Sequence, residues 1–316
     1  MNNIAGPRFF TAWILTGLLS GAVAGSTSAA EPAFERTEER EPCAEYSATR
    51  RPMFGDLHVH TSYSFDSYVS SQRNDPDAAY RYARGEAITL SDADANQSVK
   101  AQIQRPLDFT AVTDHSEFLG PIDLCTQDAS KLAYWFPACI ATRNEIFYVQ
   151  LLAANYWVSL GVIDTSNEKS ESFVCQLGDC PAAHKAAWQR IQAAAERHYD
   201  RSSDCSFTTF VGYEYTDAPD YANLHRNVIF RNEIAPELPF SWIDTPTEQE
   251  LWKKLETHCL DTDSGCDVIA IPHNPNLSNG QLFTVPYKDR PLEEQKVEAA
   301  RRRRIEPIVE MMQIKG

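Results

Sequence analysis

Apolar positions along the chain fall into short runs with sharp polar ends. Residues 53–60 alternate, so Leu57 and Val59 face one side of a predicted strand and His58 and His60 the other. Residues 107–113 read as a buried strand that ends in Asp114-His115. Residues 207–215 form a β-rich run with Glu214 near its end, and residues 223–230 a returning strand with His225 at its start. Residues 267–271 are a third apolar strand, delivering His273 between Pro272 and Pro275. Between these runs the period changes to that of helices. Residues 77–85 open on Asp and stop at Gly, residues 147–160 are apolar, and residues 183–199 carry Trp188, Ile191 and Ala195 on one stripe. Residues 252–259 and 291–304 are further helices, the last ending in four arginines, and residues 308–314 begin another strand. Residues 86–105 are polar and irregular, with room for a short strand. Strands alternating with helices predict an α/β fold.

Length and charge narrow the options. A chain of 316 residues with 43% hydrophobic content can bury a large core, as one domain or two. A net charge of −15 argues against a nucleic-acid backbone or an anionic lipid surface as partner. Residues 1–30 read as a secretory signal: Arg8, an apolar run over 9–25, then Ser28-Ala29-Ala30 as the cleavage site. The run is short for a stable membrane anchor, so a secreted or periplasmic location is expected. Residues 31–52 are charged and form an extended lead-in. All eight cysteines follow the signal, and an even number in an exported chain suggests disulfides. Near neighbours suggest Cys125–Cys139, Cys175–Cys180 and Cys259–Cys266, leaving Cys43 and Cys205, although spacing alone does not determine connectivity. A zinc site of four thiolates is the rival use, and it lacks a paired C-x-x-C. Residues from about 120 to 205, of which 120–182 hold four of these cysteines and many aromatics, read as a mostly helical, disulfide-tied insertion.

Candidate chemistry sits at the strand ends. His58 and His60 on one strand face can grip one metal ion, and Asp66 offers a hard oxygen just after the turn. His115 ends a buried strand, where Asp114 either orients it or caps the next turn. Glu214 lies inside an apolar, aromatic strand end and needs a cation there, either a metal or an arginine such as Arg226. Arg226 is also a candidate phosphate clamp, with neutralisation of a carboxylate as its plainer role. His184 and His198 lie on the 183–199 helix and are read as structural. No Gly-rich phosphate loop, serine nucleophile elbow or internal repeat is present.

Four motifs together, Asp56-Leu57-His58-Val59-His60-Thr61-Ser62-Tyr63-Ser64, Val112-Thr113-Asp114-His115, Gly212-Tyr213-Glu214 and Ile271-Pro272-His273, resemble the PHP superfamily (polymerase and histidinol phosphatase). Arg105-Pro106-Leu107-Asp108-Phe109, Gly212-Tyr213-Glu214-Tyr215-Thr216 and His225-Arg226-Asn227-Val228 resemble more closely a group of exported bacterial PHP-like proteins of unknown function. The resemblance implies a distorted (β/α)7 barrel over residues 53–316 and two or three divalent ions. His58, His60 and Glu214 would hold one ion. Glu214 would bridge to a second on His273 and His225, and Asp66 and His115 would hold a third. Mixed imidazole and carboxylate ligands suit Zn, Mn or Fe. The expected activity is hydrolysis of a small phosphorylated substrate by a metal-bridged hydroxide attacking phosphorus in line. The alternatives are hydrolysis of a C–N or C–O bond, or an exported metal-binding module without turnover. No late Asp-x-His follows His273, which suggests a chain incomplete at its C-terminus.

Overall fold

The structure is a computed structural model, and it describes residues 38–92, 97–161 and 172–313. The expected signal over residues 1–30 lies outside them. Among the described residues seven strands form: β1 Gly55–Val59, β2 Ile88–Asp92, β3 Gln97–Ala101, β4 Phe109–Val112, β5 Thr208–Tyr215, β6 Arg226–Phe230 and β7 Val268–Pro272. Eight α-helices accompany them: α1 Phe65–Val69, α2 Pro76–Ala83, α3 Leu119–Thr126, α4 Pro137–Thr142, α5 Phe147–Gly161, α6 Cys180–His198, α7 Glu248–Leu255 and α8 Leu292–Ile305. Strands β2 and β3 pair only with each other. The other five make one curled sheet in the order β1-β4-β5-β6-β7.

Direction within this sheet places the chemistry. Strands β1, β4 and β5 run parallel, while β6 is antiparallel to both β5 and β7. Four of the five strands therefore end at one edge, and β6 begins there. The fold is thus mixed α/β, but the sevenfold (β/α) alternation expected from the sequence is not what the described residues form. The physical reason lies between β5 and β6. Their connection carries no α-helix, and without a crossover helix two consecutive strands pair antiparallel. Of the strand expected over 308–314, residues 308–313 are described and form none: they run past β7 with one backbone bond there, Glu310 N–H to the Pro272 carbonyl, 3.0 Å. Gly55 is required where β1 meets β4: a Cβ there would lie 2.3 Å from the Phe109 carbonyl oxygen.

The largest apolar core lies against the sheet, and the second is built by helices and the turns between them. The larger packs α6, through Trp188, Ile191 and Ala195, against Val211, Tyr213 and Phe230. The smaller joins Phe65, Phe118, Ile122, Trp157 and Val174 around Cys125 and Cys139. Helix α6 starts on an Asp179 cap, whose side chain accepts from the Ala182 N–H, and ends with Arg197 and His198 in its last turn. Four disulfides close: Cys43–Cys205, Cys125–Cys139, Cys175–Cys180 and Cys259–Cys266. The near-neighbour pairing read from the sequence is the one formed. Four disulfides indicate an oxidising compartment. Among the described residues no helix is long and apolar enough to cross a membrane.

Candidate metal centre

The strand directions bring the predicted side chains to one place. His58 lies within β1 and His60 just past it, His115 three residues past β4, Glu214 near the end of β5, and His273 one residue past β7. His225 directly precedes β6, the strand that starts at this edge. Asp66 arrives on the first turn of α1. Of the eight histidines in the chain, five surround the Glu214 carboxylate. Their rings follow one another at centroid distances of 5.1 Å (His58–His60), 4.6 Å (His60–His115), 5.5 Å (His115–His225) and 4.8 Å (His225–His273).

Glu214 is fully buried. Its Oε2 lies 2.9 Å from His60 Nε2 and 3.2 Å from His115 Nδ1. Its Oε1 lies 3.1 Å from His225 Nδ1, 3.7 Å from His58 Nε2 and 4.0 Å from His273 Nε2. Asp66 Oδ2 lies 3.1 Å from His60 Nδ1 and 3.4 Å from His115 Nε2. Burial pushes the Glu214 carboxyl up, but His115, His225 and His60 outweigh it and hold it well below the usual carboxylate range. Burial pushes His60 down, and Asp66 with Glu214 leaves it well above its ordinary value. His225 is the exception: burial takes it down to about 4 against the pull of Glu214.

The donor set fits divalent ions. His60 Nε2 and Glu214 Oε2 are buried, 2.9 Å apart, and neither makes a hydrogen bond. Buried polar atoms left so need a partner. Three triads each gather their ligand atoms within 4.8 Å: His58/His60/Glu214, His60/Asp66/His115 and His115/Glu214/His225. They overlap at His60, His115 and Glu214, so the three triads form one continuous set of ligands.

Arg226 takes the plainer of its two expected roles. It is fully buried, and its Nε donates to Glu306 Oε1 at 2.5 Å. The guanidinium does not line the cavity over the cluster. Glu214 thus finds histidines rather than this arginine. Asp114 ties two strand ends together, accepting from the Thr61 N–H at 2.5 Å and the Thr61 hydroxyl at 2.7 Å. It does not orient His115, whose Nδ1 instead meets the Thr216 hydroxyl. His198 pairs with Asp77 at 3.1 Å, and neither it nor His184 joins the cluster.

Sequence reasoning missed Glu310. Its Oε1 lies 3.1 Å from His58 Nδ1, while Oε2 accepts from the Asn274 N–H at 3.0 Å. A carboxylate inside the apolar run Ile308-Val309-Glu310-Met311-Met312 is the same signal that singled out Glu214. Gln313 joins it, donating to Glu310 and lining the same cavity. Thr216 carried no signal of its own.

A cavity of about 390 Å³ opens over the cluster. The chain matches the family described as Protein of unknown function (DUF3604) over residues 47–316. That match overturns the PHP membership expected from the motifs, and the ligand assignments stand on the geometry alone. No curated protein and no solved structure matches the chain. It belongs to the DUF3604 family, whose function is unknown.

Proposed function

We propose that the protein is a metal-dependent hydrolase of small molecules. The observation that carries this reading is the convergence of five histidines, Glu214 and Asp66 beneath an open cavity. His58, His60, His115, His225, His273, Glu214 and Asp66 would hold the ions, Glu214 being shared because its two oxygens face different histidines. Bound divalent ions supply Lewis acidity, polarising the scissile group and lowering the pKa of water to about 7. The chain's own part is orientation. Thr216 fixes one face of the His115 ring, and Glu310 fixes the His58 ring. Asp66, whose side chain is 44% exposed, is the carboxylate nearest the solvent side.

The test uses the full mature chain. Metal content is measured by plasma mass spectrometry, and phenyl phosphate and phenyl acetate are assayed with Mn or Zn supplied. Glu214→Gln should lower metal content and rate together. Unchanged metal stoichiometry in that variant would show the ligand set to be wrong. Full metal occupancy with no turnover of either ester would leave a metal-binding module without catalysis.

A further inference from the structure

Helix α5 is unusual for a helix at the surface. Its fifteen residues, Phe147–Gly161, contain no Asp, Glu, Lys, Arg or His, in a chain of which 23% is charged. A helix apolar on every side is ordinarily buried on every side. In this fold only one side is. Ala153 and Trp157 are sealed in the smaller core, with Ala154, Tyr156 and Leu160 packed against it. The opposite side carries Phe147, Tyr148, Leu151, Leu152 and Val158, each between 42% and 75% exposed. Residues 162–171, which follow the helix, bring only Val162 and Ile163 as apolar side chains, too few to cover that face.

Size and chemistry narrow what fits there. The five side chains expose roughly 400 Å² of apolar surface, taking about 200 Å² for a whole aromatic and about 100 Å² for a whole Leu or Val. Against its own copy the face would bury roughly 800 Å² in all, near the ~1,000 Å² at which specific interfaces begin. Ile146, 61% exposed just before the helix, adds to it. The polar side chains on this side are already bonded: Asn155 Nδ2 donates to the Leu151 carbonyl at 2.9 Å, and the Ser159 hydroxyl to the Tyr156 carbonyl at 2.7 Å. Covering them therefore strands no donor. A bilayer is a poorer match, because helices that lie in a membrane interface carry Lys or Arg along their polar side, and α5 has neither. A charged protein partner would find no charge to recognise.

A second copy of this chain presents an equally neutral face. The net charge of −15 opposes any self-contact, and a face without charges is where that repulsion is least. Tyr148, Leu151, Asn155 and Val158 also recur at the spacing of a coiled-coil seam. Set antiparallel about a two-fold axis beside Ala153, Tyr148 meets Val158 of the second copy and Leu151 meets its Asn155. Each larger residue then faces a smaller one, so the seam is complementary to itself. We infer that two copies of the chain pair through the outer face of α5, in a weak, concentration-dependent dimer. Val158 also lines the cavity over the histidines, so the second copy stands at the cavity rim. The pairing itself needs nothing from the metal centre.

Sedimentation velocity on the full mature chain, over a range of concentrations and again at raised salt, tests this. Wild type should pass reversibly from monomer to dimer, and salt should tighten the dimer by screening the two net charges. Leu151→Glu, at an exposed helix position, should keep the fold by circular dichroism and weaken the dimer at least about tenfold. Val297→Glu adds the same charge on α8, where the residue is 58% exposed, and should leave the dimer as in wild type. A wild type that stays monomeric at every concentration overturns the inference. So does a dimer that salt dissociates, that Leu151→Glu leaves intact, or that both substitutions weaken alike. A monomer that co-sediments with phosphatidylcholine vesicles, and no longer does so as Leu151→Glu, overturns it as well and gives the face to a bilayer.

Discussion

Single residues decide how firmly the cluster is set. A metal-binding histidine presents one ring nitrogen and needs the other held, and partners at that second position typically change metal affinity ten- to hundredfold. Glu310 has this place at His58, at 3.1 Å, and is itself anchored on the Asn274 N–H and by Gln313. Burial raises the Glu310 carboxyl, but those donors and His58 outweigh it and hold it below its ordinary value, so it faces His58 as a carboxylate. Glu310→Gln should reduce metal affinity by about tenfold or more in a chelator competition while leaving the fold intact; an unchanged affinity would reduce Glu310 to a tether for the chain past α8. Asp217 makes the opposite case, a buried carboxyl that works against stability. Burial pushes it up to about 7 from 3.8, only partly opposed by Arg226. The folded state therefore binds this proton more tightly than the unfolded state does. The resulting stability is fully present below about pH 4 and is lost as pH rises toward 7. Asp217→Asn removes that loss. Its stability relative to wild type should grow across this window, by at most about 1.4 kcal/mol per pH unit, in urea unfolding at stepped pH. Parallel pH curves for the two proteins would rule it out.

At the scale of elements, the strand ends explain why so much of the cluster could be read in advance. An apolar run fixes where a strand lies, and a polar residue at its end must emerge at the sheet edge. That is enough to place His58, His60, His115, Glu214 and His273. His225 was legible for a different reason, because it starts a returning strand, and β6 runs against β5. What the local pattern lacks is any record of partners distant along the chain. Arg226 could not be told from a phosphate clamp because its carboxylate, Glu306, lies 80 residues on, at the end of α8. Glu310 was hidden because residues 308–314 look like a strand, and only the fold shows 308–313 passing beside β7 without forming one. Phe65, Phe118 and Trp157 look like ordinary core residues, and all three are buried in the smaller core. The sheet of the described residues departs from a regular (β/α) repeat at β6, which runs antiparallel to both of its neighbours and is reached from β5 without an α-helix.

The whole molecule is held by crosslinks of very different reach, and their effects should separate stability from site geometry. Cys43–Cys205 joins residues 162 apart, whereas Cys125–Cys139 joins residues 14 apart. On loop-closure entropy the long link is worth about 5 kcal/mol and the short one about 3 kcal/mol. Position argues the other way for function. Cys43–Cys205 ties the lead-in to the segment before β5 and touches neither the cluster nor the cavity. Cys125 and Cys139 are fully buried in the core that also holds Phe65, whose ring lies 4.9 Å from that of His115, so the backing of His115 depends on them. Replacing Cys43 and Cys205 by Ser should cost more stability in urea unfolding, with metal affinity in a chelator competition close to wild type. Replacing Cys125 and Cys139 by Ala should cost less stability yet weaken metal affinity more, because His115 loses its backing. If both double variants lose stability and metal affinity in the same proportion, the smaller core is not what holds His115 in place.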